Sequence, residues 1–301
     1  ASRFVDRALT LALSPPLAIF GGLVNHGPRS QRKISITFDD GPSSPCTEHL
    51  LDTLDELGVP ATFFCVGWNV KQNPGIAARA AAAGHDVGNH SMFHRRMAGM
   101  MPLGGSHIDD AEKVISDAIS KIPRLYRPPW GWLSPFELAR LRARGYAIVG
   151  WDVYTRDWMY PENDGHKMAQ HVLAKAIGGS IVLFHDGLSM TSEWSKTETE
   201  RAIRTLVPMA RDQGFEFVTV SRLIDRAAYA FVRTLVTVFC RTWCRMRIEG
   251  REHVPATGAF LLAPVHRSIL DTPIASGITR RRMRFMGADK YWKKAWFGRG
   301  L

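Results

Sequence analysis

Cysteine is scarce: the 301 residues contain four, and nothing in their placement suggests a disulfide framework. Cys240 and Cys244 stand four apart, which on a helix puts two thiols on one face in a geometry poorly suited to a disulfide. Cys46, Cys65, Cys240 and Cys244 are therefore read as free thiols, and the fold has to be held by its core. With 45% hydrophobic residues the chain has ample material for one. An apolar run fit to cross a bilayer as a straight helix is also missing. Ala8–Val24 carries no charge and follows Arg3 and Arg7, the pattern of a signal or anchor remnant within residues 1–30, but Pro15 and Pro16 interrupt its middle. Acidic side chains are scarce in one region. Residues 226–301 hold 4 Asp+Glu against 15 Lys+Arg, whereas residues 1–225 hold 24 of each. The whole net charge of +11 thus belongs to the last quarter. That asymmetry divides the chain near Arg226 and gives its second part an anionic partner, either nucleic acid or an acidic lipid surface. No recognisable nucleic-acid-binding module accompanies the charge, which favours the lipid.

What is present, up to residue 225, is an alternation of strand and helix patterns. Lys33–Phe38 is a β-rich run, Thr47–Leu57 a helix, and Ala61–Val66 a strand. Pro74–Ala83 is a helix with Asn73 as N-cap, Pro at its first position and Gly84 closing it. Ser106 with Asp109 has the form of a capping box for a helix to about Lys121, and Ser134-Pro135 opens another that Gly145 ends. Tyr146–Val153, Ser180–His185 and Phe215–Val220 read as further strands, with helices centred near residues 171 and 205. Alternating strands and helices imply an α/β fold with a parallel sheet, open or closed into a barrel. In either topology chemistry collects at the carboxyl ends of strands. Asp39-Asp40, Arg127, Asp157 and His185 each follow or end a strand-like run.

Those residues belong to five short motifs: Thr37-Phe38-Asp39-Asp40-Gly41-Pro42, His90-Ser91-Met92-Phe93-His94, Arg127-Pro128-Pro129-Trp130-Gly131, Asp157-Trp158 and Leu183-Phe184-His185-Asp186. Asp40, His90 and His94 offer one carboxylate and two imidazoles, a set that holds a divalent ion and leaves positions open for water and substrate. The histidines stand at i and i+4, so one helical turn would point both at the same ion. Among eleven histidines such a pair alone arises by chance as readily as by function. Beside Asp39-Asp40 it carries more weight, because two adjacent carboxylates after a β-run repel each other and gain from a cation.

The five motifs, with Ala61-Thr62-Phe63-Phe64 and Gly84-His85-Asp86-Val87-Gly88-Asn89 between them, resemble the polysaccharide deacetylase family, the NodB homology domain of carbohydrate esterases, over residues 31–225. The resemblance implies a distorted (β/α) barrel and a metal-dependent hydrolase that removes N-acetyl groups from an amino-sugar-containing glycan or glycolipid. It implies Asp40, His90 and His94 as metal ligands, with Zn2+ the first expectation and Co2+ or another divalent ion the alternatives. Asp39 matches the base that takes a proton from the attacking water, and Arg127 the residue that orients this base. The backbone N–H of Trp130 matches the oxyanion donor. His185 matches the acid that protonates the departing amine, and Asp157 the carboxylate that holds His185 in its charged form. Leu183 and Trp158 match a small apolar pocket for the acetyl methyl group. Two positions depart from the pattern: Trp130 stands where the family often has Tyr, and Tyr154 where many relatives carry another polar residue. Read without the family, Trp130, Trp132, Trp151 and Trp158 suit the core and sugar stacking equally. His85 and Asp86 read as structural.

In the last quarter, Arg226, Arg233, Arg241, Arg245 and Arg247 fall within about half of a helical wheel, with Phe231, Leu235, Val236, Val238 and Phe239 on the other side. Arg233 cuts the apolar run into pieces too short to span a bilayer, so this helix either lies in a membrane interface or packs on its own domain. Further on, His266 precedes Asp271 by five residues, a base arrangement suited to activating a hydroxyl. With Ile248-Glu249-Gly250, Asp271-Thr272-Pro273 and the Gly287–Phe297 stretch, it resembles the lysophosphatidic-acid acyltransferase family, PlsC-like. That resemblance implies acyl transfer from a thioester to a glycerophosphate or similar hydroxyl, with His266 as base and Asp271 orienting it. Residues 226–301 correspond to about the first third of such a domain, a partial α/β segment that is either a piece of a two-enzyme fusion or a membrane-surface tether. Both resemblances are satisfied on the cytoplasmic membrane face, and the cell envelope outside is the alternative. A tethered, non-catalytic carbohydrate module is a third class, and the intact Asp39, Asp40, His90, His94 and His185 set speaks against it.

Overall fold

The computed structural model describes residues 23–95, 106–155, 157, 164–187 and 197–224. All lie in the first of the chain's two units, residues 1–225. The readings made for residues 1–22 and 226–301, including His266 and Asp271, and for Trp158 fall outside the described residues.

Nine strands form one sheet: β1 (Leu23–Val24), β2 (Lys33–Asp39), β3 (Thr62–Cys65), β4 (Asp86–Asn89), β5 (Leu125–Tyr126), β6 (Ala147–Val149), β7 (Val153–Tyr154), β8 (Ile181–His185) and β9 (Glu216–Phe217). The order is β1-β6-β5-β4-β3-β2-β8-β7, with β9 beside β2, and the strand pairs are parallel. Among the described residues, α1 (Cys46–Glu56), α2 (Gly67–Gln72), α3 (Pro74–Ala82), α4 (Ser106–Ile119), α5 (Pro135–Ala143), α6 (Gly165–Lys175) and α7 (Thr197–Asp212) connect or flank the strands. β6 stands second in the strand order and β7 last, yet Gly150, Trp151 and Asp152 alone join them. In a flat sheet those strands would lie about 29 Å apart, and a link of this length reaches at most about 15 Å. The sheet therefore curls until its edges meet. Across the seam, Asp152 N–H donates to Ile181 O at 3.2 Å, Asp152 pairs with Arg29 at 2.8 Å, and His26 bridges Ser180. The result is the expected distorted barrel, realised as a curled parallel half-barrel.

Alternation along the central strands sorts their side chains between two faces. Ile34, Ile36, Phe38, Val182 and Phe184 pack into the main core with Leu50, Leu54, Ile115, Val172 and Leu206 from the covering helices. Phe38 lies at its centre, 5.2 Å from the Phe63 ring and 5.9 Å from that of Phe184. Thr37, Asp39, Leu183 and His185 take the other face, and the register sets Thr37 opposite Leu183 and Asp39 opposite His185. Polar chemistry thus lines the inside of the curl at its carboxyl end.

Several local expectations are corrected. The 146–153 run is two strands, because Gly150–Asp152 carries the chain across the seam. Phe215–Val220 yields two strand residues, and Val220 already begins a helix. Asn73 makes no side-chain cap bond; its amide donates back to Asn69 O at 3.3 Å. Ser134 does cap α5, accepting from Glu137 N–H at 3.2 Å.

Phe38→Ala is expected to destabilise this unit by about 3–5 kcal/mol and Phe38→Leu by less than about 1.5 kcal/mol, both read from urea unfolding.

Candidate metal centre and its flanking pairs

Asp39 ends β2 and Asp40 follows it at φ 75°. This left-handed step breaks the strand alternation, so neighbouring carboxylates need not share one direction. His90 follows β4 directly, and the stretch to His94 is a loop, not the helical turn expected from the i, i+4 spacing. Ser91 at φ 67° and His94 at φ 50° are both left-handed. Side chains hold this loop: Asn89 Oδ1 accepts from Ser91 N–H at 2.8 Å, and Ser91 Oγ accepts from His94 N–H at 3.2 Å. The loop still brings the imidazoles together, with ring centroids 4.9 Å apart.

One ligand atom each from Asp40, His90 and His94 lies within 4.8 Å of the others. Nε2 of His90 and of His94 stand 3.4 and 3.2 Å from Asp40 Oδ1. Nδ1 of His90 lies 2.7 Å from Arg127 O, and because a carbonyl can only accept, that nitrogen carries the hydrogen and Nε2 presents its lone pair to the centre. Asp40 Oδ1 is buried without a hydrogen bond among the described residues. Three electron-pair donors converging on one point, one of them a buried orphan carboxylate oxygen, fit a divalent cation. Burial raises the Asp40 pKa, but His90, His94 and His185 outweigh it and hold this carboxyl well below its usual range. Burial lowers the His94 pKa, and the neighbouring His90 lowers it further, which keeps this imidazole neutral. For His90 burial works the same way and is outweighed by Asp39 and Asp40, so the metal-free centre favours a proton there that a cation must displace.

Beside this cluster stand two buried ion pairs. Arg127 is fully buried and its Nη1 donates to Asp39 Oδ1 at 2.6 Å and to Thr37 Oγ1 at 2.7 Å, while Nη2 donates to Gly150 O at 2.8 Å. The guanidinium carbon lies 4.1 Å from the Phe64 ring centroid and 5.7 Å from that of Trp151. With Oδ1 so occupied, Asp39 Oδ2 lies 3.8 Å from His90 Nε2. In the second pair, Asp157 Oδ1 lies 2.8 Å from His185 Nδ1, and its Oδ2 accepts from His185 N–H at 2.7 Å and Thr199 Oγ1 at 3.3 Å. Burial lowers the His185 pKa, but Asp157, Asp40 and Asp39 raise it to about 9, so the imidazole is charged at neutral pH.

The apolar candidates divide. Leu183 is buried two residues before His185 on the same face of β8. Trp130 is 53% exposed, takes φ 61°, and sets its ring 5.9 Å from that of His94. Trp151 is half-buried and packs against a smaller apolar cluster of Phe64, Leu125 and Val149, beside Arg127. His85 accepts from Ala61 N–H and Asp86 from Ser221 N–H, both structural. Sequence reasoning passed over Thr37 and Thr199, which fix Arg127 and Asp157. The i, i+2 spacing of Thr37 from Asp39 was the available signal for the first.

An ordinary histidine titrates near 6.5, so a folded pKa of about 9 gives stability that is complete below pH 6.5 and lost as pH rises through 9. NMR titration of the metal-free protein should place the His185 midpoint near 9, and Asp157→Asn should lower it by about 1–3 pH units.

Residues 26–149 match the sequence model of the polysaccharide deacetylase family, and residues 245–301 that of an acyltransferase family. Over 208 residues the chain is 34% identical to a peptidoglycan-N-acetylglucosamine deacetylase of Bacillus cereus, covering 65% of this chain and 90% of that protein. Over 216 residues it is 36% identical to a chitooligosaccharide deacetylase of Bradyrhizobium, covering 69% and 98%. The Bc1960 peptidoglycan N-acetylglucosamine deacetylase superposes with a TM-score of 0.62 at 29% identity, covering 66% of this chain and 91% of that one. The T48 deacetylase, solved with substrate, superposes at 0.57 and 34% identity, covering 64% and 91%. With a curled parallel half-barrel carrying an Asp-His-His centre at its carboxyl end, the chain belongs to the polysaccharide deacetylase family, hydrolases that cleave the N-acetyl amide bonds of amino-sugar glycans.

Proposed function

We propose that the chain deacetylates N-acetylglucosamine units of a glycan at the Asp40, His90 and His94 centre, with Zn2+ as the ion held there. A divalent ion in such a site supplies Lewis-acid polarisation of a carbonyl and acidifies water. Asp39, with Oδ1 tied to Arg127, takes a proton on Oδ2 from water as its oxygen adds to the acetamide carbon. The Trp130 backbone N–H donates to the carbonyl oxygen as it gains negative charge. The C–N bond then breaks as the His185 imidazolium transfers a proton to the amine nitrogen, and acetate and a free amino sugar leave. Leu183, buried two residues before His185, borders the recess for the acetyl methyl group, and Trp158, outside the described residues, is assigned to it by the family resemblance alone. The observation that carries this reading is the pairing of opposite protonation states: a carboxylate held ready by a buried arginine, and an imidazole kept charged by a buried aspartate. The peptidoglycan and chitooligosaccharide substrates named for the relatives supply the substrate class.

Chelated protein re-supplied with Zn2+ should release acetate from N-acetylglucosamine oligomers. Asp39→Asn should lower kcat by about 100- to 10,000-fold while stoichiometric zinc stays bound. Wild-type protein that binds zinc stoichiometrically but releases no acetate would overturn the reading.

A second activity is supported by the acyltransferase match over residues 245–301 and by the basic charge of residues 226–301. We propose that this part meets an anionic membrane surface, on the cytoplasmic face, with His266 as base and Asp271 orienting it for acyl transfer to a lysophospholipid-like hydroxyl. The chain should float with vesicles rich in anionic lipid and not with neutral ones, and about 0.5 M salt should release it. Equal flotation with both vesicle types would remove the electrostatic basis of this proposal.

A further inference from the structure

Large aromatic side chains stand exposed at the metal centre. Trp68 is 45% exposed and Phe93 41%, and their ring centroids lie 6.0 Å apart. Phe93 immediately precedes the ligand His94, whose ring is followed 5.9 Å away by that of Trp130. Trp68 is held in register with the centre by three hydrogen bonds. Gly67 N–H donates to Ser91 O at 2.9 Å, Trp68 N–H to Met92 O at 3.0 Å, and Asn69 Nδ2 to Asp40 O at 2.7 Å. Helix α2 is thereby clamped to both loops that carry the ligands. At Gly67 a Cβ would stand 2.7 Å from Met92 Sδ and 2.9 Å from Ala111, so that close approach needs glycine. Two cations border these rings: Lys71 Nζ lies 5.9 Å from the Trp68 centroid and Arg95 Cζ 5.2 Å from that of Phe93. Among the described residues neither cation meets a carboxylate.

A rigid pair of solvent-facing aromatic rings offers sugars an apolar stacking surface. Two cations that meet no carboxylate among the described residues add a preference of sign. Their place one residue from a metal ligand puts any ligand of this surface within the reach of the same glycan chain. We infer that Trp68, Phe93, Lys71 and Arg95 form a subsite for a carboxylate-bearing sugar that neighbours the N-acetylated sugar undergoing hydrolysis. The inference rests on the deacetylase reading and narrows its substrate to acidic amino-sugar glycans, such as glycan strands whose lactyl carboxylates are free of peptide.

The test uses the full zinc-loaded chain and three probes: neutral N-acetylglucosamine oligomers, peptide-free strands bearing lactyl carboxylates, and the same strands with those carboxylates methyl-esterified. The wild type should show a lower KM for the acidic strands than for the esterified ones. The double variant Lys71→Gln/Arg95→Gln should raise KM for the acidic strands about 3- to 10-fold more than for the other two probes. Trp68→Ala should raise KM for all three about 3- to 10-fold with kcat little changed. Calorimetric binding of the acidic strands to the Asp39→Asn protein gives the same comparison without turnover, so loss of deacetylase activity and loss of the subsite are read separately. Equal KM for acidic and esterified strands, or equal effects of the double variant on all probes, would overturn the inference.

Discussion

The buried pair between Arg127 and Asp39 is the interaction on which the rest of the site depends. A guanidinium taken wholly out of water is costly unless its donors are satisfied; here Asp39, Thr37 and the Gly150 carbonyl accept from Nη1 and Nη2 and Phe64 lies under its face, while Nε has no acceptor among the described residues. Those partners come from β2 and from the Gly150–Asp152 link between β6 and β7, so one side chain spans the curl and fastens its seam. The backbone of the same residue does separate work. Its carbonyl accepts from His90 Nδ1 and thereby decides which nitrogen of that ligand faces the centre. Aiming of the base and aiming of a ligand are coupled through a single residue. Loss of the side chain would take from Asp39 its guanidinium partner in the interior, while the carbonyl would remain.

The remaining chemistry is a problem of keeping like groups in unlike states. Asp39 and Asp40 are neighbours in sequence, yet one meets an arginine and the other two imidazoles, because the left-handed Asp40 backbone parts their surroundings. Three imidazoles are likewise divided. His94 loses its proton to burial and to the neighbouring His90, whereas His185 keeps one because Asp157 Oδ1 faces its Nδ1 and Asp40 and Asp39 add to the attraction. Parallel pairing of β2 with β8 sets Asp39 level with His185, so a proton acceptor and a proton donor stand one strand apart without either loop having to place them.

What could be read in advance follows the length and pattern of each segment. β2, a seven-residue run in which Ile34, Ile36 and Phe38 alternate with polar residues, and β8, four apolar residues ending on His185, were legible, whereas β4 is Asp86-Val87-Gly88-Asn89, too short and too polar to announce a strand, and β5 is a bare Leu125-Tyr126. In β4 the glycine serves packing, since a Cβ at Gly88 would meet the Phe64 ring at 2.8 Å. Helix α2 starts on Gly67 without a side-chain cap, and its anchors are backbone bonds to a loop more than twenty residues away, which no local signal records. The ligand residues stood out by chemistry, but the i, i+4 spacing of His90 and His94 suggested a helix because spacing alone does not reveal two left-handed residues. Arg127 stands before two prolines, with no local mark of burial. Its burial depends on Thr37, Gly150 and Phe64, contributed by other strands.

Strain and exposure are concentrated in the loops, while the strand ends are regular. Trp130 holds φ 61° with a bulky side chain, a conformation that costs on the order of 1–3 kcal/mol. Pro128 and Pro129 precede it, and Gly131 N–H and Trp132 N–H donate back to their carbonyls at 2.9 and 3.1 Å, which closes the turn on that conformation. The strain sets an indole beside His94 and turns a backbone amide in a short rigid loop, where fixed direction matters more than stability. The clamp on α2 does the same for Trp68 on the other approach to the ligand loop. Asp39 and His185 therefore sit on strand ends, whose register the hydrophobic core enforces, while the ligand His94 depends on its loop. On our inference, selection among glycans falls to Trp68 on α2 and to Phe93 and Trp130 on the loops around His94.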